Sequence, residues 1–132
     1  MEFSKTMEKI AQDIGAQFNE YDDRKSVVVV LLPGSRYQTV MCVLKHHEDY
    51  DREVIHLTTK VCDTEQFINY IEILTENAKF VHAKFVVVDG FLRVEAAMFV
   101  DNVTEDVLKE MVLEVAEIAD PWELKITGKD VH

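Results

Sequence analysis

The chain has 132 residues, a length that fits one domain spanning residues 1–132. Its composition, 48% hydrophobic and 30% charged, excludes an intrinsically disordered chain. The formal net charge of −11 argues against binding to a nucleic-acid backbone, which favours a clustered basic face on its protein partner.

The N-terminal residues are charged and do not form a signal peptide. The longest aliphatic run, residues 27–32, is far too short to span a bilayer. Cys42 and Cys62 each stand alone in a predicted strand, which indicates free thiols rather than a disulfide framework. We therefore expect a cytoplasmic protein that makes no contact with a membrane.

Residues 2–21 carry apolar side chains at steps of three and four, the period of one helical stripe. This period predicts a first helix over the whole range, although Gly15 weakens it by about 1 kcal/mol relative to alanine. We expect the stripe to pack on the protein's own sheet. The stripe consists of Phe3, Met7, Ile10, Ile14, Phe18 and Tyr21.

Residues 26–43 predict two strands joined by a turn at Pro33 and Gly34. Proline presets φ at the first central position of a type II turn, and glycine tolerates the positive φ at the second. The first strand, 27–32, is aliphatic throughout, which is typical of a strand covered on both faces. The second strand extends over residues 36–46.

A charged turn at residues 48–51 leads to a third strand, residues 52–62, in which apolar and polar side chains alternate. With this turn centred on Asp49, Cys42 is expected to lie opposite His56 on the neighbouring strand. A second helix is predicted over residues 64–76. Three residues mark its boundaries: Asp63 as the N-cap, Gln66 as the capping-box residue and Asn77 as a left-handed C-terminal residue.

Residues 80–88 and 91–100 flank Asp89-Gly90, the strongest short signal for a β-hairpin. A two-residue turn pairs Val88 with Phe91 and so sets the register of the whole hairpin. In that register one face is apolar and the other pairs Lys84 with Glu95, an opposite-charge pair. The apolar face consists of Val81, Ala83, Phe85 and Val87 against Leu92, Val94, Ala96 and Met98.

Thr104 is predicted to cap a third helix, with Glu105 and Asp106 in the first turn, where the helix dipole favours acids. Pro121 is expected to end this helix and to leave Trp122 before a short polar tail. The order of elements, α-β-β-β-α-β-β-α, predicts an α+β fold with a five-stranded antiparallel sheet packed with helices.

Two stretches of the sequence resemble a known family. Residues 32–40, LPGSRYQTV, and residues 119–130, ADPWELKITGKD, resemble the YbjN-like family, also described as bacterial sensory transduction regulators. These domains are similar in fold to the small acidic type III secretion chaperones. The resemblance implies a non-enzymatic domain, often dimeric, that binds protein segments or regulates by contact. The matching positions, expected to be structural, are Leu32, Pro33, Arg36, Gln38, Asp120, Trp122 and Glu123.

The two matching stretches suggest a contact between distant parts of the chain. If the C-terminal stretch folds back on the Pro-Gly turn, Arg36 can form a bidentate contact with Asp120 or Glu123. In this hypothesis Arg36 has a structural role and Trp122 packs over the turn.

The candidate metal and catalytic residues lack the spacing that such sites need. The histidines and cysteines show no paired metal-ligand spacing, and the acidic turn does not match an EF-hand loop. Neither cysteine lies at a helix N-terminus, where a thiol nucleophile would be activated. We expect no metal, no cofactor and no catalytic residue. The residues considered are Cys42, His46, His47, Glu48, Asp49, Asp51, His56, Cys62 and His82.

The strands contain more apolar residues than a sheet with one buried face needs, so either helices or a partner must cover the second face. We expect a protein-binding or chaperone-like regulator that forms a homodimer and binds an unidentified protein, with residues 64–76 as a second candidate interface. The alternative is a small-molecule sensor with a pocket between helices and sheet. An enzyme is not expected, because no nucleophile with a base and an orienting group is visible.

Overall fold

The computed structural model describes residues 2–128, which form three helices and six strands. The elements are α1 (Phe3–Asp13), β1 (Gln17–Asp22), β2 (Lys25–Leu32), β3 (Arg36–His47), β4 (Arg52–Asp63), α2 (Tyr70–Glu76), β5 (Ala83–Val88), β6 (Phe91–Phe99) and α3 (Glu105–Thr127). Short 3-10 turns at Asn77–Lys79 and Val100–Asn102 follow α2 and β6. The strands form one antiparallel sheet in the order β1-β2-β3-β4-β6-β5.

The hydrophobic core lies between one face of the sheet and the helices. The long helix α3 crosses the middle of the sheet and contacts β3, β4, β5 and β6, while α1 packs on β1 and β2. Side chains alternate along the strands, so every second residue reaches this core. The exception is a bulge in β4, where Val61 and Cys62 are both buried in the core. The largest fully buried apolar side chains are Met7, Ile10, Ile55, Leu57, Leu92, Leu108 and Met111.

The first helix ends earlier than the sequence predicts, and this adds a sixth strand. Gly15 has φ 71°, a left-handed conformation that closes the helix after Ile14. The chain then runs as β1, in which Phe18 pairs with Val28 of β2. The expected helix through Tyr21 and the expected five-stranded sheet are therefore wrong. Pairing with β2 through the two-residue turn at Asp23 and Arg24 outweighs the helical spacing of Phe18 and Tyr21.

The hairpin of β5 and β6 has the predicted register. Asp89 and Gly90 both have positive φ, 51° and 81°, as a type I′ turn requires. Val88 pairs with Phe91, and Lys84 pairs with Glu95 on the side away from the helices. The predictions for this hairpin are confirmed over the paired residues of Ala83–Val88.

The second helix begins six residues later than predicted. Asp63 is the last residue of β4, and its side chain accepts a hydrogen bond from Glu65 N in a turn rather than capping a helix. The helix starts after Asn69, whose side-chain oxygen accepts from Glu72 N at 3.1 Å. Asn77 has φ −56° and is not left-handed, because the chain continues into a 3-10 turn. These three expectations are wrong.

The third helix continues through Pro121 to Thr127. Proline removes one backbone hydrogen bond and usually costs about 3 kcal/mol in a helix interior. Here the residues beyond it still pack: Glu123 is fully buried, and Trp122 and Ile126 lie against the core. The predicted end at Pro121 is therefore wrong. Although α3 has 23 residues, no helix within residues 2–128 is long and apolar enough to cross a membrane.

Candidate functional site

Within residues 2–128, no helix packs on one of the two faces of the sheet. We call it the uncovered face. It consists of the odd-numbered residues of β2, β3 and β6 (25–31, 37–47 and 91–99), the even-numbered residues of β4 and β5 (52–60 and 84–88), and residues 17, 19, 22 and 63. Val27 and Val54 are buried on this face but do not belong to the core cluster, whose strand residues all point to the helices. Sheet faces of this size are normally covered in a stable domain.

The uncovered face has a mixed surface. Leu31, Tyr37 and Val88 are exposed, with 61%, 40% and 41% of their surface accessible. Half-buried side chains such as Met41 and Val43 lie between them. The expectation that β2 is covered on both faces is therefore only half met, since the chain's own helices cover one side.

A shallow groove of about 350 Å³ lies on the uncovered face where the end of β3, the start of β4 and the end of β6 meet. His56 is in its lining, and the pKa of His56 is lowered, first by burial and then by the charge of Lys45. Arg52 stacks on Phe99 with its guanidinium carbon 3.7 Å from the ring centroid, and it pairs with Asp101 at 3.2 Å. The groove thus offers an apolar floor with a cationic rim.

A second apolar surface surrounds α2. Phe67, Ile71 and Leu74 are 91%, 75% and 62% exposed, although Ile73 of the same helix is buried. We call this set, with Tyr70 and Val87 beside it, the α2 surface. Exposed apolar clusters of this kind usually mark interaction sites. Four of these exposed side chains lie within residues 64–76, the second candidate interface expected from the sequence.

The neighbouring edge strand β5 is closed to further strand pairing over its first half. Its hairpin register points the backbone groups of Ala83, Phe85 and Val87 away from β6. Asn77 accepts a hydrogen bond from Phe85 N at 2.6 Å and donates to Phe85 O at 3.3 Å. The Glu114 carboxylate accepts from Ala83 N at 2.6 Å. A partner at the α2 surface must therefore bind mainly through side chains, since this part of the edge is occupied.

Glu114 also accepts the N–H groups of Val81 at 3.1 Å and His82 at 2.7 Å. Burial alone would raise the pKa of its carboxyl, but the three backbone donors outweigh burial and lower the pKa below the ordinary 4.5. Asn77 and Glu114 were not foreseen in the sequence, because neither belongs to a local motif for holding a strand edge.

Replacing Glu114 by glutamine should lower the free energy of unfolding by about 1 kcal/mol at neutral pH, since one acceptor oxygen becomes a donor. A group whose folded pKa is lowered contributes stability above its unfolded pKa and loses it as pH falls through the folded value. Urea unfolding should therefore show a difference between wild type and variant at neutral pH that shrinks below about pH 4.5.

The control for this experiment is Glu117→Gln, an exposed residue on the same helix. It should leave the unfolding curve unchanged at both pH values. A Glu114→Gln variant as stable as wild type at neutral pH would contradict the assigned role of the carboxylate.

The residues of the family-like motif lie on the helix side of the sheet. Leu32 is half-buried at the end of β2, and Pro33 is exposed in the turn. Arg36 Nε and Nη2 lie 2.8 and 2.7 Å from the same oxygen of Asp120, Oδ2, so β3 is tied to α3. The Asp120 side chain is 4% exposed. The expected contact between Arg36 and a C-terminal acid is confirmed for Asp120, through one carboxylate oxygen rather than two.

Gln38 and Glu123 complete the motif inside the protein, and both are fully buried. Gln38 donates to Thr59 Oγ1 at 2.9 Å and to the Lys60 carbonyl at 3.0 Å, which joins β3 to β4 beyond the ladder. A structural role for the motif residues fits these contacts and remains a prediction.

Trp122 does not pack over the Pro-Gly turn. Its ring contacts Phe85 of β5 edge to face, with centroids 5.8 Å apart. Strand β5 forms the edge of the sheet that is farthest from β1 and β2. The expected place of Trp122 is wrong because α3 crosses the sheet obliquely and continues past Pro121. The last residues of the motif, 129 and 130, lie outside the described residues.

The cysteines have the properties of buried thiols. Burial raises the pKa of Cys42 to about 12. Burial, with the nearby carboxylates of Asp63 and Glu123, raises the pKa of Cys62 to about 11. Both thiols therefore stay protonated and are poor nucleophiles.

The expected pairing of Cys42 with His56 is wrong by one residue. Cys42 lies opposite Leu57, and Val43 lies opposite His56. Cys42 consequently faces the core, while His56 lies on the uncovered face. In the acidic turn, Asp51 pairs with His46 at 3.0 Å. Within residues 2–128, no group of three His, Cys, Asp or Glu side chains is arranged to hold a metal ion.

Comparison with known proteins relates the chain to solved structures in fold. No family model and no curated protein sequence matches it. A chain from the crystal structure of the ExsC–ExsE complex aligns with a TM-score of 0.61 at 14% identity, over 96% of this chain and 97% of that chain. A chain from the HopA1–SchA chaperone–effector complex aligns with a TM-score of 0.58 at 12% identity, over 92% of both chains. The expected chaperone-like α+β fold is confirmed, with six strands instead of five.

Proposed function

We propose that this protein is a non-enzymatic, chaperone-like domain that holds a segment of a partner protein against its uncovered face. The observation that carries the proposal is a six-stranded sheet with helices on one side and exposed apolar residues on the other. The HopA1–SchA structure, a chaperone–effector complex with a similar fold, supports a chaperone role. The closer resemblance to the YbjN-like family remains part of this proposal.

The protein acts as a homodimer in this proposal, with the α2 surface as the interface between copies. Five exposed apolar side chains on α2, on the segment before it and on the adjacent strand provide the contact, and two-fold symmetry would pair this surface with itself. The blocked edge of β5 favours packing of helices over a continuous sheet. The uncovered face stays free for the partner.

A small-molecule sensor is less well supported. The cavity between α2 and β5 has about 100 Å³, below the roughly 300–1,000 Å³ typical of small-molecule sites. The groove on the uncovered face is larger, but it is open and shallow, which suits a protein segment better than an enclosed ligand. The proposed domain needs no cofactor.

The proposal can be tested by site-specific photo-crosslinking in the native host. Tyr37 on the uncovered face is 40% exposed and can be replaced by the similarly shaped p-benzoylphenylalanine. We expect irradiation to join this position to another protein. The same group at the exposed residue Glu117, on the helical side, should give no such product. Absence of a product at position 37, or equal products at both positions, would contradict the proposed binding face.

A further inference from the structure

We propose that the uncovered face recognises an acidic, partly apolar segment of its partner protein. This inference rests on the proposed function and extends it by naming the chemistry of the bound segment. It rests on the charged residues that the strand register places on this face.

The uncovered face is basic although the chain is strongly acidic. Strand residues that point to this side include six of the chain's 14 Lys and Arg residues but only three of its 25 Asp and Glu residues. The cations are Lys25, Lys45, Arg52, Lys60, Lys84 and Arg93, and the carboxylates are Asp22, Asp63 and Glu95. Local charge of this kind attracts an oppositely charged partner.

The cations of this face are also the ones without ion pairs. Away from this face, every Lys and Arg in residues 2–128 has a carboxylate within 4.0 Å. On the uncovered face, Arg52 also has one, in Asp101. The other five cations of the face have no carboxylate within this distance in residues 2–128; they are Lys25, Lys45, Lys60, Lys84 and Arg93. These five cations, which form no ion pair within 4.0 Å in the described part of the chain, leave positive charge on this face available to a ligand.

Two of these cations repel each other across neighbouring strands. Lys60 lies directly opposite Arg93 across β4 and β6, and like charges in that position destabilise a sheet. Both lie near the ring of Phe91, at 4.3 and 5.5 Å from its centroid. The aromatic ring offsets part of the repulsion. A bound carboxylate between the two cations would offset the rest.

The cations flank a stretch of the face in which apolar side chains of β3 lie beside polar side chains of β4 and β6. Lys45 of β3 lies opposite Val54 of β4. Lys60 lies six residues after Val54 on β4, so at roughly 3.4 Å per residue it is about 20 Å from Lys45 along the strand. Met41 and Val43 lie between the two ends. The complementary segment therefore has acidic groups about 20 Å apart with apolar side chains between them, which about six residues of extended chain provide.

Two other occupants fit less well. The helices of a second copy are acidic, but docking them on the uncovered face would join unlike surfaces and generate open polymers rather than a closed dimer. Nucleic acid carries the required negative charge, but the chain's net charge of −11 opposes its approach. A protein segment supplies both the carboxylates and the apolar side chains.

The test uses a fluorescent peptide with two glutamates at each end and alternating valine and serine at the four central positions. A matched peptide carries lysine in place of glutamate. At about 150 mM salt, we expect the wild-type protein to bind the glutamate peptide at least about tenfold more tightly than the lysine peptide, as measured by fluorescence anisotropy. The variant Lys45→Glu/Lys60→Glu/Arg93→Glu should lose this preference.

The control variant is Lys5→Glu/Lys79→Glu/Lys125→Glu, which changes the net charge equally at exposed positions away from the uncovered face. It should bind the glutamate peptide within about threefold of wild type. Equal binding of the two peptides by wild type, or an equal loss in both variants, would overturn the inference. So would tighter binding of a single-stranded oligonucleotide of equal charge, or assembly of the protein into polymers.

Failure of this inference can be told apart from failure of the proposed function. Crosslinking from position 37 to a segment without acidic residues would leave partner binding intact and refute the acidic chemistry. Absence of any crosslinked protein would refute the proposed function itself.

Discussion

Replacing Arg36 by methionine is expected to lower the free energy of unfolding by about 2–3 kcal/mol. The change keeps most of the aliphatic volume and removes the guanidinium that contacts Asp120 Oδ2 at 2.7 and 2.8 Å. The Asp120 carboxylate is then left in a site where its side chain is only 4% exposed. Breaking a fully buried pair usually costs more, but Arg36 is 31% exposed and solvent screens part of the interaction.

The two partners should not contribute equally. Asp120→Asn leaves the guanidinium without its carboxylate, but this group can turn to solvent, so we expect a smaller loss of about 1–2 kcal/mol. The double variant should lose less than the sum of the single variants, which shows direct coupling. Urea unfolding followed by circular dichroism measures all three.

A matched control is Lys125→Met, which removes an exposed ion pair on the same helix, with Glu72 at 2.7 Å. It should change stability by less than about 0.5 kcal/mol, as exposed pairs usually do. If Arg36→Met unfolded at the same urea concentration as wild type, the contact between Arg36 and Asp120 would not contribute to stability.

The sequence predicted well those contacts that a short turn determines. A two-residue turn at Asp89-Gly90 allows one register, so the pairs of β5 and β6 followed from counting. The turn before β4 has four residues, and a centre misplaced by half a residue moved Cys42 from Leu57 to His56. With a side-chain period of two, that shift exchanges the faces of the sheet.

Other contacts could not be read in the same way. Phe18 and Tyr21 fit a helical stripe, and pairing with the neighbouring β2 makes their segment a strand. The basic residues are scattered along the sequence, and the strand register alone collects Lys45, Lys60 and Arg93 on one face. Asn77 and Glu114 close the edge of β5 from elements that are separate from it in the chain.

The variant Ile71→Glu/Leu74→Glu is expected to convert the proposed homodimer to a monomer. In a two-fold interface each substitution is present twice, so four apolar side chains are lost from the contact. At about 1.5 kcal/mol for each buried side chain, the dissociation constant should rise about 10⁴-fold. Because Ile71 and Leu74 are 75% and 62% exposed in the single chain, the fold itself should be unaffected.

Light scattering coupled to size exclusion measures this change directly, and circular dichroism checks that the fold is retained. Leu31→Glu is the control, since Leu31 is 61% exposed on the uncovered face and its replacement introduces the same charge. This variant should remain dimeric. A monomeric wild type, or a dimer that survives both substitutions in α2, would exclude the α2 surface as the interface. In the first case each single chain would bind its partner through its own uncovered face, because that face does not include the α2 surface.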